Sequence, residues 1–166
     1  MTTNTYIAYV DGACINNGKS NARAGWGALI HNPKGATLEI AGPLEGERQT
    51  NQRAELTAAI MALKATPQPA QFDLYSDSQY VVKGINEWMK DWKARGWKTS
   101  SKKPVENLDL WLEVEALLAF HKITVTWVKG HSGHPGNDKA DALAENAAMF
   151  QKPYRLLTSA SPGVTV

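Results

Sequence analysis

Residues 129–146, KGHSGHPGNDKADALAEN, combine side chains that bind metals or move protons with a glycine-rich loop. His131, His134, Asp138 and Asp141 lie around three glycines and one proline, and an alanine-rich helix is predicted to follow. Two explanations fit this composition. Either the loop belongs to a metal site, or it is a polar turn capped by the start of the helix. The choice depends on the carboxylates that other parts of the chain bring beside it.

Three further acids lie where predicted elements meet. Asp11 and Asp77 are predicted to end two strands, and Glu55 lies in the first turns of the helix between them. If the two strands are parallel neighbours, their carboxyl ends meet at the sheet edge where ligands gather in α/β folds. Asp141 follows Ala140 of the apolar stripe of the last helix, so it is expected at the same edge.

Carboxylates that converge in this way suggest a cation site. Like charges within a few ångströms raise each other's pKa, and a cation relieves that repulsion. Oxygen-only ligands favour magnesium or manganese over zinc, and carboxylate-held hard cations serve two-metal phosphoryl transfer. Each acid alone is also an ordinary turn or helix-start residue, so topology leaves both explanations equally open. The His131–His134 pair is not expected to bind zinc, because no cysteine or further well-spaced histidine completes a site.

The elements that must position these residues alternate in an α/β pattern. The order predicts three antiparallel strands followed by two parallel strands added through helical crossovers, a five-stranded mixed sheet flanked by helices. Residues 151–166 are expected to form a flexible tail after a single domain that spans residues 1–150. The predicted strands are TYIAYV, GWGALIHN, ATLEIAG, FDLYSD and KITVTWVKG, and the predicted helices are TNQRAELTAAIMALKAT, SQYVVKGINEW, NLDLWLEVEALLAF and DKADALAENAAM.

Charge is distributed unevenly along the 166 residues. The net charge is +2, but residues 90–103 carry six basic residues against one acid and the remainder is acidic. A basic segment on an acidic body indicates a polyanion-binding element. The single cysteine, Cys14, excludes an intrachain disulfide and a thiolate zinc cluster. No apolar run approaches the roughly 18 residues of a membrane span, and the start lacks a basic leader region, so we expect a soluble, cytoplasmic protein.

Four segments together resemble type 1 ribonuclease H of the bacterial kind that has a basic protrusion. They are YVDGAC, TNQRAEL, SDSQYV and VKGHSGHPGNDKADALA, in this order and spacing, and the likeness runs from Tyr6 to Met149. It implies a ribonuclease H-like fold and endonucleolytic hydrolysis of the RNA strand of RNA–DNA hybrids, leaving 5′-phosphate and 3′-hydroxyl ends. Two Mg²⁺ ions are implied, with Mn²⁺ able to substitute. The implied catalytic residues are the metal ligands Asp11, Glu55, Asp77 and Asp141, together with His131, which would shuttle a proton or help the product leave.

The resemblance also implies a substrate surface on a monomeric protein. Short amides would meet the minor groove and its 2′-hydroxyls, with Cys14 and Asn16 contributing through backbone atoms. A second group would form a pocket for one DNA-strand phosphate, and a protrusion at about residues 88–106 would line the DNA-strand channel. The amides are Asn17, Asn51, Gln52 and Gln79, the pocket residues are Arg48, Thr50 and Asn107, and the protrusion residues are Trp88, Trp92, Lys93, Lys98, Ser100, Lys102 and Lys103.

Two other functions compete with this interpretation. The chain could be a hybrid-binding module that has lost catalysis, or a metal-dependent DNA nuclease of the same fold. The presence of all four carboxylates and His131 argues against the first. The loop that would read 2′-hydroxyls and the basic protrusion argue against the second.

Overall fold

The computed structural model describes residues 4–159 and confirms an α/β architecture. Five α-helices accompany six strands, and a π-helical turn, Gly84–Trp88, joins the second helix to the third. The strands are β1 Thr5–Ile15, β2 Arg23–His31, β3 Thr37–Pro43, β4 Gln71–Ser76, β5 Lys122–Trp127 and β6 Tyr154–Thr158, and the helices are α1 Asn51–Leu63, α2 Gln79–Lys83, α3 Met89–Ala94, α4 Leu108–Phe120 and α5 Pro135–Phe150.

All six strands form one sheet in the order β5-β4-β1-β2-β3-β6. The first three strands make an antiparallel meander, and β4 and β5 add in parallel beside β1, as the sequence predicts. The parallel neighbours β1 and β4 are joined through α1, which is the helical crossover that parallel strands require.

The predicted number of five strands is wrong, because β6 pairs antiparallel with β3 inside the segment expected to be a tail. Every residue of β6 is exposed. The strand therefore lacks the alternation of buried and exposed residues by which a sequence pattern predicts a strand. Its pairing comes from backbone hydrogen bonds along an edge. Residues 160–166 of the expected tail lie outside the described residues.

Two of the element boundaries that differ from the prediction bear on the site. β1 does not end at Asp11 but continues to Ile15 along β2, whereas its parallel pairing with β4 stops at Val10 opposite Ser76. Asp11 therefore lies one residue beyond the parallel ladder, where the predicted convergence with Asp77 still holds. α5 begins at Pro135 rather than at Asp138, because the His134 side chain accepts the Asn137 backbone N–H at 3.4 Å and caps the helix earlier.

Helices cover both faces of the sheet. The backbone of α1 packs against Gly12 on one face, and α5 packs against Gly25 and Gly27 on the other. Thr50 caps α1 by accepting the Arg53 N–H, and the small alanines of α1 let it approach β1 closely. The core between the α1 face and the sheet contains the fully buried Trp111, Phe72, Leu56, Leu63 and Leu74. Within residues 4–159, none of the helices has the length and apolar character that a bilayer crossing needs.

Candidate active site

Three predicted acids meet at the edge of the sheet beyond β4. Asp11 and Glu55 keep only 3% and 6% of their surface exposed, and Asp77 is half-buried. One carboxylate oxygen from each lies within 4.8 Å of the other two. The strand β1, the helix α1 and the end of β4 each supply one ligand, so the site depends on how these elements pack.

Asp141 joins the cluster through α5. Gly27 stands directly opposite Asp11 in the β1–β2 register. A Cβ on Gly27 would lie 2.7 Å from the Ala140 carbonyl oxygen, so only glycine lets this turn of α5 approach the sheet. The next residue, Asp141, is half-buried and lies close enough to Asp11 to raise the pKa of that carboxyl. All four predicted metal ligands are therefore neighbours.

The electrostatics of the cluster favour a bound cation. Burial raises the pKa of Asp11 well above its ordinary value, and the nearby Glu55 and Asp77 raise it further. Burial also raises the pKa of Glu55, and Asp77 adds to this rise. Burial and mutual repulsion thus favour the protonated forms of these acids, and a divalent cation would relieve the same repulsion.

The donor set fits a hard divalent ion. Every candidate ligand atom is a carboxylate oxygen, which suits magnesium or manganese. The Oε2 atom of Glu55 is buried and has no hydrogen-bond partner among residues 4–159. A buried acceptor without a donor is costly, and a cation would satisfy it. Asp11, Glu55, Asp77 and Asp141 would hold the ion or ions.

The glycine-rich loop begins at the end of β5, beside Asp77. The Trp127 indole N–H donates to the Asp77 carbonyl at 3.2 Å, and the Val128 N–H donates to the Ser76 carbonyl at 2.9 Å. Gly130 then packs against the Asp77 carboxylate. His131 follows with an exposed side chain and a φ of 54°, and its ring makes no hydrogen bond within residues 4–159. An exposed imidazole one residue from this contact is placed to reach a substrate.

The three residues predicted to bind one DNA-strand phosphate converge on an ion pair, Arg53–Asp109. Asp109 accepts two hydrogen bonds from the guanidinium, at 2.9 and 2.7 Å, which holds its pKa down to about 2. Arg48 lies 3.5 Å from Asp109, Thr50 accepts the Arg53 backbone N–H at 3.2 Å, and the Asn107 Oδ1 accepts from the Arg53 Nη1 at 3.2 Å. The structure thus brings the three residues together around one ion pair, and their binding of a phosphate stays a prediction.

Comparison with known proteins places this site in a family. Residues 3–149 match the RNase H family model. The chain belongs to the RNase H family. It is 51% identical over 144 residues to the ribonuclease H of Cupriavidus pinatubonensis, covering 83% of this chain and 91% of that protein. It is 52% identical over 137 residues to the ribonuclease H of Pseudomonas entomophila, covering 82% and 88%.

Solved RNase H structures share the fold. The crystal structure of LC9-RNase H1, a type 1 RNase H with the type 2 active-site motif, superposes with a TM-score of 0.81 at 30% identity and covers 97% of this chain and 80% of that one. The solution structure of the PFV RNase H domain gives a TM-score of 0.74 at 28% identity, covering 87% and 94%. The predicted ribonuclease H-like fold is confirmed.

The amides predicted to read 2′-hydroxyls lie at the starts of α1 and α2 and in the loop after β1. Asn51 and Gln52 begin α1 and Gln79 begins α2, and all three side chains are exposed. The Asn17 Oδ1 accepts the Asn51 N–H at 3.2 Å, which ties the loop after β1 to the start of α1. The same loop contains Asn16 with a φ of 56°, and the half-buried Cys14 directs its thiol toward the Gln49 carbonyl at 3.5 Å.

The predicted protrusion residues divide into packed and exposed groups. Trp88 and Trp92 are half-buried, with ring centroids 5.8 Å apart, and Trp92 meets Trp111 at 5.2 Å. Lys93 pairs with Glu115 of α4 at 3.0 Å. Lys93 is itself exposed, and the further exposed members, which lie in the loop after α3, are Lys98, Ser100, Lys102 and Lys103.

Sequence reasoning missed four residues at this site: Arg53, Asp109, Gly130 and Tyr80, whose hydroxyl accepts from the Asn107 Nδ2 at 3.0 Å. Arg53 lies two positions before Glu55, but its partner Asp109 is 56 positions away along the chain. No local pattern connects residues so distant. Gly130 lay within the quoted loop motif, yet its contact with Asp77 depends on how β5 ends beside β4.

Proposed function

We propose that this protein is an endoribonuclease that hydrolyses the RNA strand of RNA–DNA hybrids with two divalent metal ions, Mg²⁺ in the cell. The observation that carries the proposal is the set of carboxylate oxygens of Asp11, Glu55 and Asp77 within 4.8 Å of one another. They occur in a chain that matches the RNase H family over residues 3–149. The products would carry 5′-phosphate and 3′-hydroxyl ends.

The residues of the site would divide the chemistry. Asp11, Glu55, Asp77 and Asp141 would hold the cations, which supply water activation and charge stabilisation when bound. The buried side chains of Asp11 and Glu55 exclude water from the inner part of the site, which strengthens the attraction between carboxylate and cation. His131, exposed on its loop, would accept or deliver a proton at the edge of the site.

Strand choice would follow from the amides. A hybrid has a wide, shallow minor groove with 2′-hydroxyls on one strand only. The exposed side chains of Asn51, Gln52 and Gln79 can each donate to and accept from a hydroxyl. The pocket around Arg48, Thr50 and Asn107 would hold a phosphate of the DNA strand, and the exposed lysines of the protrusion would extend that contact.

Two further properties belong to the proposal. We infer a monomer that acts in the cytoplasm, in keeping with a chain whose single cysteine, Cys14, forms no intrachain disulfide. Size-exclusion chromatography with light scattering tests the first property, and fractionation of cells tests the second.

The test is incubation with a hybrid whose RNA strand carries a 5′ label, with Mg²⁺, with Mn²⁺ or with a chelator. We expect internal cleavage of the RNA in the presence of either metal and none with the chelator. Phosphatase treatment and ligation of the fragments identify the ends. The variant Asp77→Asn is the control, because it removes a ligand charge with little change of shape. Binding of the hybrid without any cleavage by the wild type would favour a non-catalytic module.

A further inference from the structure

The Asn107 carboxamide is held at both ends by the protein. Its Oδ1 accepts from the Arg53 Nη1 at 3.2 Å, and its Nδ2 donates to the Tyr80 hydroxyl at 3.0 Å. The Trp111 indole N–H also donates to that hydroxyl, at 3.0 Å. Asn107 lies at the start of α4 with only 6% of its surface exposed to solvent, and its backbone has a φ of 59°. The amide is therefore part of a continuous network that connects α1, α2 and α4.

The two partners differ in what they demand of the amide. A tyrosine hydroxyl both donates and accepts, so Tyr80 could bond to either end of the carboxamide. A guanidinium only donates, so a flipped carboxamide would place its own N–H group opposite the N–H group of Arg53, and no hydrogen bond could form. Arg53 alone decides which way the carboxamide faces. In the orientation that Arg53 selects, one N–H of the Asn107 Nδ2 donates to Tyr80 and the second has no acceptor within the network.

We propose that Arg53 is a positioning residue that fixes the Asn107 carboxamide with its spare N–H available to a phosphate oxygen of the DNA strand. The inference rests on the proposed function, since it assigns a role within the phosphate pocket. Without Arg53 the amide can rotate, and the flipped state presents a carbonyl oxygen to the phosphate. A donor would then be replaced by an acceptor, which repels an anion.

Arg53 is itself held firmly enough for this role. Its side chain is 10% exposed, and Asp109 anchors the guanidinium through both carboxylate oxygens. Two parallel hydrogen bonds fix the plane of the group, which a single contact would not do. The third hydrogen bond of the guanidinium, to the Asn107 Oδ1, therefore has a fixed direction. Arg53 thus acts on the substrate through Asn107 and touches no reacting atom.

The test is a double-mutant cycle with Arg53→Met and Asn107→Gly, read as KM and kcat on a hybrid. Glycine suits the left-handed backbone at residue 107, so the second change removes the side chain without backbone strain. Lys64→Met is the matched control, because Lys64 pairs with Glu113 at 3.2 Å and so also joins α1 to α4, away from the pocket. The melting temperature of each variant is measured, and kinetics are recorded well below it.

Arg53→Met should raise KM by roughly tenfold, the size expected for one hydrogen bond to a charged group, with kcat within about twofold of wild type. Asn107→Gly should raise KM similarly, and the double variant should be no worse than Asn107→Gly alone. Lys64→Met should change neither constant. The inference would be overturned if the double variant raised KM by the product of the two single effects. It would also be overturned if Lys64→Met raised KM as much as Arg53→Met. A wild type that fails to cut the hybrid would instead refute the proposed function.

Discussion

Gly130 packs directly on the carboxylate of Asp77: a Cβ added to Gly130 would stand 2.8 Å from the Asp77 Oδ2. The φ of Gly130 is not positive, so its backbone accepts other residues and only the contact with Asp77 requires glycine. Since Asp77 is a candidate metal ligand, the loop that carries His131 also shapes the metal site.

Gly130→Ala should displace the Asp77 carboxylate and lower kcat by roughly a hundredfold, the loss typical of a misplacement of about 1 Å. The Mg²⁺ concentration for half-maximal rate should rise, while KM for the hybrid should stay near that of the wild type. Gly133→Ala is the control, since its Cβ meets nothing within 4 Å and only its positive φ of 80° is strained. An equal loss in both variants would assign the effect to loop strain.

Asp11→Asn should abolish cleavage and yet stabilise the metal-free protein. The folded-state pKa values of Asp11 and Glu55 lie above their ordinary values, so charging these groups opposes folding. The metal-free wild type should therefore be most stable at acidic pH and lose stability as pH rises above the ordinary carboxyl range toward the raised values. Asp11→Asn should flatten this loss.

Thermal unfolding at several pH values, with and without Mg²⁺, measures both effects. Mg²⁺ should raise the melting temperature of the wild type at neutral pH, because it binds only the folded state, and should raise that of Asp11→Asn much less. A melting temperature of the wild type that is indifferent to Mg²⁺ at millimolar concentrations would contradict the metal assignment of this cluster.

His131→Ala should slow turnover by roughly ten- to a thousandfold without eliminating it, which is the range for loss of a positioned proton carrier. The ring is exposed and forms no hydrogen bond within residues 4–159, so its removal should leave the melting temperature unchanged. Single-turnover rates across pH 5 to 9 separate chemistry from product release. An unchanged rate at every pH would show that the histidine has no chemical role.

The lysines of the protrusion should differ in their contribution to substrate binding. Lys98, Lys102 and Lys103 are exposed and take part in no ion pair in the described part of the chain, whereas Lys93 is paired with Glu115. Each phosphate contact adds about −0.9 to the slope of log affinity against log salt. Hybrid binding is measured in a catalytically inactive background at several salt concentrations. Replacing the three exposed lysines with alanine should flatten the slope of log affinity against log salt, and Lys93→Ala should change that slope less. The reverse order would place Lys93 on the substrate.

The sequence predicts the convergence of Asp11, Glu55, Asp77 and Asp141 because element order and strand direction determine which ends meet. It does not predict the Arg53–Asp109 pair or the packing of Gly130 on Asp77, because these contacts depend on the exact approach of distant elements. The edge strand β6 was missed for a different reason. Its residues are exposed and it pairs with β3 through backbone atoms, so the pattern of its side chains does not predict the strand.

The most direct test of the central claim is a comparison of initial rates on four duplexes at one ionic strength with Mg²⁺. The duplexes are an RNA–DNA hybrid, duplex DNA, duplex RNA, and duplex DNA with one embedded ribonucleotide. Under the proposed function, the amides of Asn51, Gln52 and Gln79 would need consecutive 2′-hydroxyls on one strand, and the phosphate pocket would favour a strand without them. We expect rapid cleavage of the RNA strand of the hybrid and little cleavage of the other three. Comparable cutting of duplex DNA and the hybrid would contradict the account and indicate a DNA nuclease.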